Sequence, residues 1–104
     1  MSYYLFIDDE RFPPNDAKPW EIVRSSKEAC DAVECRGMPT FISFDHDLGG
    51  DDTAMRFLHW LTDHVLDHGI DLSCTAYTVH SQNPVGRDHI IGLMENLRRA
   101  TSKG

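Results

Sequence analysis

The 104-residue sequence has no apolar run near the ~18 residues that a membrane-spanning helix needs. Its start, "MSYYLFIDDE", lacks a basic stretch ahead of an apolar one and reads directly as a strand, so no secretory leader is expected. Cysteine is scarce: Cys30, Cys35 and Cys74, with no C-x-x-C pair. An odd, scattered set argues against a disulfide framework or a thiolate zinc site, and fits reduced thiols in a cytoplasmic protein. Positive charge is short as well, 10 Lys and Arg against 17 Asp and Glu, a formal net charge of −7. Arg98, Arg99 and Lys103 form the one basic group of note, too little to release counterions from a long duplex nucleic acid. A small phosphate ester or an RNA end, met through a metal, is compatible with this balance. Repeats, low-complexity tracts and linkers are absent too, so a single domain is expected over residues 1–100, with a frayed tail at 101–104.

What the chain does have is short apolar runs that end in acid. Tyr3 to Ile7 runs into "DDE", and Thr40 to Phe44 runs into "DHDLGGDD". Unalternating apolar runs of this length suit strands buried on both faces. Trp20 to Val23 and Leu72 to Val79 are the other strand candidates. The segment "RFPPNDAKP" holds three prolines and excludes a helix of normal length between the first two strands. Ser25 or Ser26 caps a helix that Glu28 supports, running to about Cys35 and stopped at Gly37. From Thr53, Ala54, Phe57, Leu58, Leu61 and Val65 recur at helical spacing until Gly69. A last helix from Gly86 or Arg87 carries Ile90, Leu93, Met94 and Leu97 on one face.

Strands alternating with helices imply a parallel sheet, and such sheets bind ligands at the carboxyl ends of their strands. "DDER", "DHDLGG" and "HSQNP" then gather on one edge. Asp8, Asp9, Asp45 and Asp47 are the candidates to hold a hard divalent cation, Mg²⁺ or Mn²⁺, which lets carboxylates share a site. His46 and His80 each follow a strand and could act as general acid and base, or one could bind the metal. Ser81, Gln82 and Asn83 offer neutral donors, and Arg87 near a helix start favours an anion such as phosphate. Arg11 either pairs with a carboxylate or meets substrate, with Glu10 holding it. His59, His64, His68 and Asp67 share a helix without a third ligand or an H-E-x-x-H pattern, and read as a solvated face. Gly49-Gly50 reads as a turn, and Trp20 and Trp60 as packing.

"LFIDDE" and "FISFD" resemble the two-component receiver domain, in which an acid pair helps bind Mg²⁺ and a strand-three aspartate accepts a phosphoryl group. By position these are Asp8, Asp9 and Asp45. The chain departs from that pattern in its proline-rich segment, in ending after the fourth strand and its helix, and in having no counterpart of the fifth-strand lysine. "FIDDERFPP", "SFDHDLG" and "VHSQNPVGR" together are more similar to the cyclic-phosphate processing receiver-like family, over nearly the whole chain. That resemblance implies a truncated flavodoxin-like three-layer α/β sandwich of about four parallel strands, order 2-1-3-4, with the first helix replaced by the proline-rich loop. It also implies action on cyclic phosphate ends of RNA or nucleotides, in RNA repair or phage–host conflict.

Three functions are then open. In a metal-dependent phosphoesterase, Asp8, Asp9, Asp45 and Asp47 hold the cation, His80 and His46 move protons, and Ser81, Asn83, Arg87 and Arg11 hold the phosphate. Attack by water and a covalent aspartyl-phosphate at Asp45 are both consistent with these residues. A phosphorylation-controlled signalling module would use Asp45 as acceptor, and a non-catalytic binding or inhibitor protein would need none of these roles.

Overall fold

The computed structural model describes residues 2–102. Four strands, β1 (Tyr4–Ile7), β2 (Trp20–Val23), β3 (Phe41–Phe44) and β4 (Ala76–Val79), form one parallel sheet in the order β2-β1-β3-β4. Helices α1 (Ser26–Arg36), α2 (Ala54–His68) and α3 (Pro84–Thr101) complete the chain. The four-stranded parallel α/β fold and its strand order are those expected of a receiver-like domain.

The helix ends follow local chemistry. Ser25 accepts the Glu28 N–H at 3.1 Å, and Glu28 in turn accepts the Arg24 N–H at 2.9 Å, so two donors at the start of α1 are satisfied reciprocally. Thr53 caps α2 by accepting from Met55, and Gly69 closes it in the left-handed conformation, φ 64°. Two boundaries differ from the sequence expectation. The last helix starts at Pro84, two to three residues early, because Asn83 caps it through the Gly86 N–H (3.1 Å) and proline at the first helical position sacrifices no hydrogen bond. The fourth strand starts at Ala76 rather than Leu72, because residues 72–75 form a turn: Thr75 N–H bonds Leu72 O, and Leu72 N–H is taken by Thr101 Oγ1 at 2.9 Å. Thr101 thus belongs to α3, and of the expected tail Lys103 and Gly104 lie outside the described residues.

Because α2 packs against both α1 and α3, the helices line one face of the sheet. The two helical crossovers, β2–α1–β3 and β3–α2–β4, run in the same direction across the sheet, which for right-handed connections puts their helices on the same face. Leu5, Ile7, Val23, Ile42 and Phe44 meet Ala29, Val33, Phe57, Leu58, Leu61, Ile90 and Met94 in the core between. On the opposite face, rings replace the missing helix. Tyr4, Phe6, Trp20 and Phe41 contact one another with centroids 5.3–6.0 Å apart. The proline-rich segment covers part of this cluster, since Asp16 Oδ1 accepts the Trp20 indole N–H at 2.9 Å and Lys18 reaches toward the Tyr4 ring. The third layer is therefore a loop and a set of aromatic rings. Trp60 packs on Phe57, and His64 and His68 stack beyond it along α2. Among the described residues, no helix is long and apolar enough to cross a membrane.

Candidate active site

Parallel pairing in register sets the site. The last paired rung is Val23, Ile7, Phe44 and Val79, one from each strand. One residue further along come Asp8, Asp45 and His80, still joined by the ladder: Asp45 N–H bonds Ile7 O and His80 N–H bonds Phe44 O, both at 2.9 Å. Three polar residues thus leave neighbouring strands at the same height.

Asp8 is fully buried. Its Oδ1 accepts the backbone N–H groups of Glu10 (3.0 Å) and Arg11 (2.9 Å), and its Oδ2 lies 2.9 Å from His80 Nε2. Burial pushes the Asp8 carboxyl up, but the two backbone donors and His80 outweigh it and hold its pKa below the ordinary value. Asp45 has the opposite balance. Burial and the negative charge of Asp8 raise its pKa, and His80 and Arg11 offset this only in part. Asp8, Asp9 and Asp45 each offer an oxygen, and these lie within 4.8 Å of one another. The fit to a cation is chemical. An all-oxygen donor set suits Mg²⁺ or Mn²⁺, and among the described residues Arg11, at 3.8 Å from Asp8, is the one cationic side chain that also borders the cleft with Asp9 and Asp45.

The cluster opens on a cleft of about 600 Å³ lined by Asp9, Glu10, Arg11, Asp45, Asp47, Gly49, Gly50, Ser81, Gln82 and Asn83. Arg11, Ser81 and Asn83, expected to hold phosphate, therefore border the same space as the carboxylates. Gly49 and Gly50, both at positive φ (91° and 57°), make a wall of it, more than the plain turn expected. Asp9 Oδ2 sits only 3.4 Å from where a Cβ on Gly49 would be.

Other expected residues fall elsewhere. Asp47 borders the cleft but stands outside the three-carboxylate cluster. Hydrogen bonds from His46 (Nδ1 at 3.0 Å) and Asn83 hold its carboxyl below the usual range. The His46 ring packs on Gly86 of α3, and His80 packs flat on Phe6, so the two imidazoles do not face each other across the cleft. Arg87 is exposed on the first turn of α3 and does not border the cleft.

Two functional partners escaped the sequence reading. Ser43 Oγ lies 2.8 Å from His80 Nδ1. The signal was a lone hydroxyl in the otherwise apolar run "FISF", buried at 5% exposure. Arg24 is the other: its guanidinium donates to the carbonyls of Asp8 (3.0 Å) and Arg11, and so braces the loop that carries the acid pair. Nothing in its local sequence distinguishes it.

Comparisons with curated proteins and with solved structures return no match. The family comparison does: a sequence model described as the cyclic-phosphate processing receiver domain matches residues 3–96, and the chain belongs to that family.

Proposed function

We propose that the cleft hydrolyses cyclic phosphate esters, those of nucleotides or of RNA ends, with a divalent cation held by Asp8, Asp9 and Asp45. The observation that carries this reading is the convergence of those three carboxylates, within 4.8 Å, on a cleft that also presents Arg11, Ser81 and Asn83. When bound, such an ion, Mg²⁺ or Mn²⁺, supplies positive charge that polarises a phosphoryl oxygen and acidifies water. The chain's own groups do the rest. Arg11 meets the phosphate charge, and the Ser81 hydroxyl, which accepts the Asn83 N–H at 3.1 Å, has its own proton to donate. Proton transfer falls to His46, which does not itself line the cleft and meets it through Asp47. Its Nδ1 is bonded to Asp47 on the cleft rim, and its Nε2 bonds no described residue. A ring-opening hydrolysis needs one water and one proton relay, which this pair can supply.

The test is hydrolysis of 2′,3′-cyclic nucleotides and of RNA bearing a cyclic-phosphate end, in Mg²⁺, Mn²⁺ or EDTA, beside Asp45→Asn. The expected result is metal-dependent turnover that Asp45→Asn abolishes, and the phosphate isomer released identifies the P–O bond broken. Absence of turnover with any metal would sink the reading. Stable phosphorylation of Asp45 by a small phosphodonor would replace it with a phosphoacceptor role.

A further inference from the structure

We infer that His80 is a positioning residue that acts on the cation site through Asp8, and that Ser43 is its anchor. The inference rests on the cation reading of the cleft and names residues that hold one of its ligands. His80 is fixed at three points. Nε2 lies 2.9 Å from Asp8 Oδ2, Nδ1 lies 2.8 Å from Ser43 Oγ, and the ring lies 5.0 Å from the Phe6 ring at an angle of 3°. Phe6 and Ser43 are paired residues of β1 and β3, so the imidazole is clamped over a single rung of the sheet.

Both ring nitrogens are thereby committed inside the protein, and neither His80 nor Ser43 borders the cleft. A side chain so held has no ring nitrogen to spare for a substrate. It does have an effect on Asp8. A carboxylate offers about four acceptor positions. The Glu10 and Arg11 N–H groups and His80 take three, which leaves one on Oδ2, beside the Arg11 guanidinium at 3.8 Å, to bind an ion. Ser43 suits the anchoring role because a hydroxyl can donate to Nδ1 or accept from it. A buried hydroxyl without a partner carries a desolvation cost, and His80 is the partner that this one has. Groups that orient a metal ligand in this way commonly control the affinity of the site.

The experiment is a Mn²⁺ titration of the full chain followed by electron paramagnetic resonance, for wild type, His80→Ala, His80→Gln and Ser43→Ala. Turnover is measured in parallel and folding is checked by circular dichroism. His80→Ala is expected to raise the Mn²⁺ dissociation constant about tenfold or more, the range for residues behind a metal ligand. His80→Gln, whose amide nitrogen reaches the place of Nε2, is expected to recover most of that loss. Ser43→Ala is expected to weaken binding by a smaller factor. If His80→Ala does not fold, the contrast between His80→Gln and Ser43→Ala carries the test. Unchanged Mn²⁺ affinity in His80→Ala, with turnover lost, would overturn the inference and put His80 on the substrate. Unchanged affinity in Ser43→Ala would remove the anchor. A wild-type protein that binds no Mn²⁺ overturns this inference together with the cation site. Binding without turnover on any cyclic phosphate overturns the hydrolysis reading alone and leaves the His80 contrast standing.

Discussion

The ring of His46 stands where a side chain on residue 86 would begin: a Cβ built on Gly86 would lie 2.3 Å from His46 Cγ and 2.5 Å from Cδ2. No real pair of atoms tolerates that distance, so the loop after β3 and the first turn of α3 close on each other only with glycine there.

Gly86→Ala should therefore cost stability although alanine favours a helix. Overpacking of this kind costs about 1–3 kcal/mol, and each 1 kcal/mol lowers the melting temperature of a domain this size by about 4–8 °C. The check is a set of thermal melts by circular dichroism that includes the double variant His46→Ala/Gly86→Ala. The double variant should melt above Gly86→Ala, because the clash has gone and the helix gain remains. A Gly86→Ala protein as stable as wild type would show that the ring swings aside freely.

Asp45→Asn should stabilise the metal-free protein at neutral pH, by on the order of 1 kcal/mol, because it removes a charge that is buried beside Asp8. The sign follows from its raised pKa. A group easier to protonate when folded favours folding at low pH, and that contribution is lost as pH rises through the folded value. The gain from Asp45→Asn should fade as pH falls through the Asp45 pKa, where wild type becomes neutral too. Asp8 has the reverse linkage: its lowered pKa adds stability above its unfolded value, lost as pH falls through the folded one. Urea unfolding of both proteins across pH 3–8, roughly the carboxylate range upward, checks this. Added Mg²⁺ should raise the wild-type melting temperature and leave Asp45→Asn nearly unchanged.

The acidic loop after β3 divides its carboxylates between jobs, and Asp52 shows the structural one. It accepts the Ser26 N–H at 2.8 Å and the Ser26 hydroxyl at 2.5 Å, which ties the loop to the start of α1. Asp52→Ala should cost about 0.5–2 kcal/mol, the range for losing a helix cap. Mn²⁺ affinity and turnover, measured under conditions where the variant is folded, should stay near wild type. A collapse of metal binding in this variant would place Asp52 in the cation site.

The three thiols should react at different rates. Cys35 and Cys74 are exposed, whereas burial pushes the Cys30 thiol up to about 11. The thiolate is the reactive form, so alkylation at pH 8 should label Cys35 and Cys74 well before Cys30. Peptide mass mapping over time checks the order, and denaturant should bring all three to similar rates.

Much of the fold was legible in the sequence because its signals are local. A cap such as Ser25 acts within three or four residues, and the stripe from Ala54 to Val65 repeats within one turn. Pro13 and Pro14 exclude a helix without reference to anything distant. Where local signals competed, boundaries moved. The apolar character of Leu72 suggested a strand, but a hydroxyl on the far end of α3 claimed its N–H.

The sequence by itself determined that Asp8, Asp9, Asp45, Ser81 and Asn83 would share one edge, since parallel strands joined by helices all point the same way. Which side chains touch was left to the tertiary structure. Asp45 joins the cluster while Asp47 bonds His46 and Asn83. His80 bonds Asp8 and Ser43 rather than facing His46, and Arg87 does not border the cleft. The reason is register. The height at which Ile7, Phe44 and Val79 align comes from packing between residues more than 30 positions apart, and no short window of sequence holds that information.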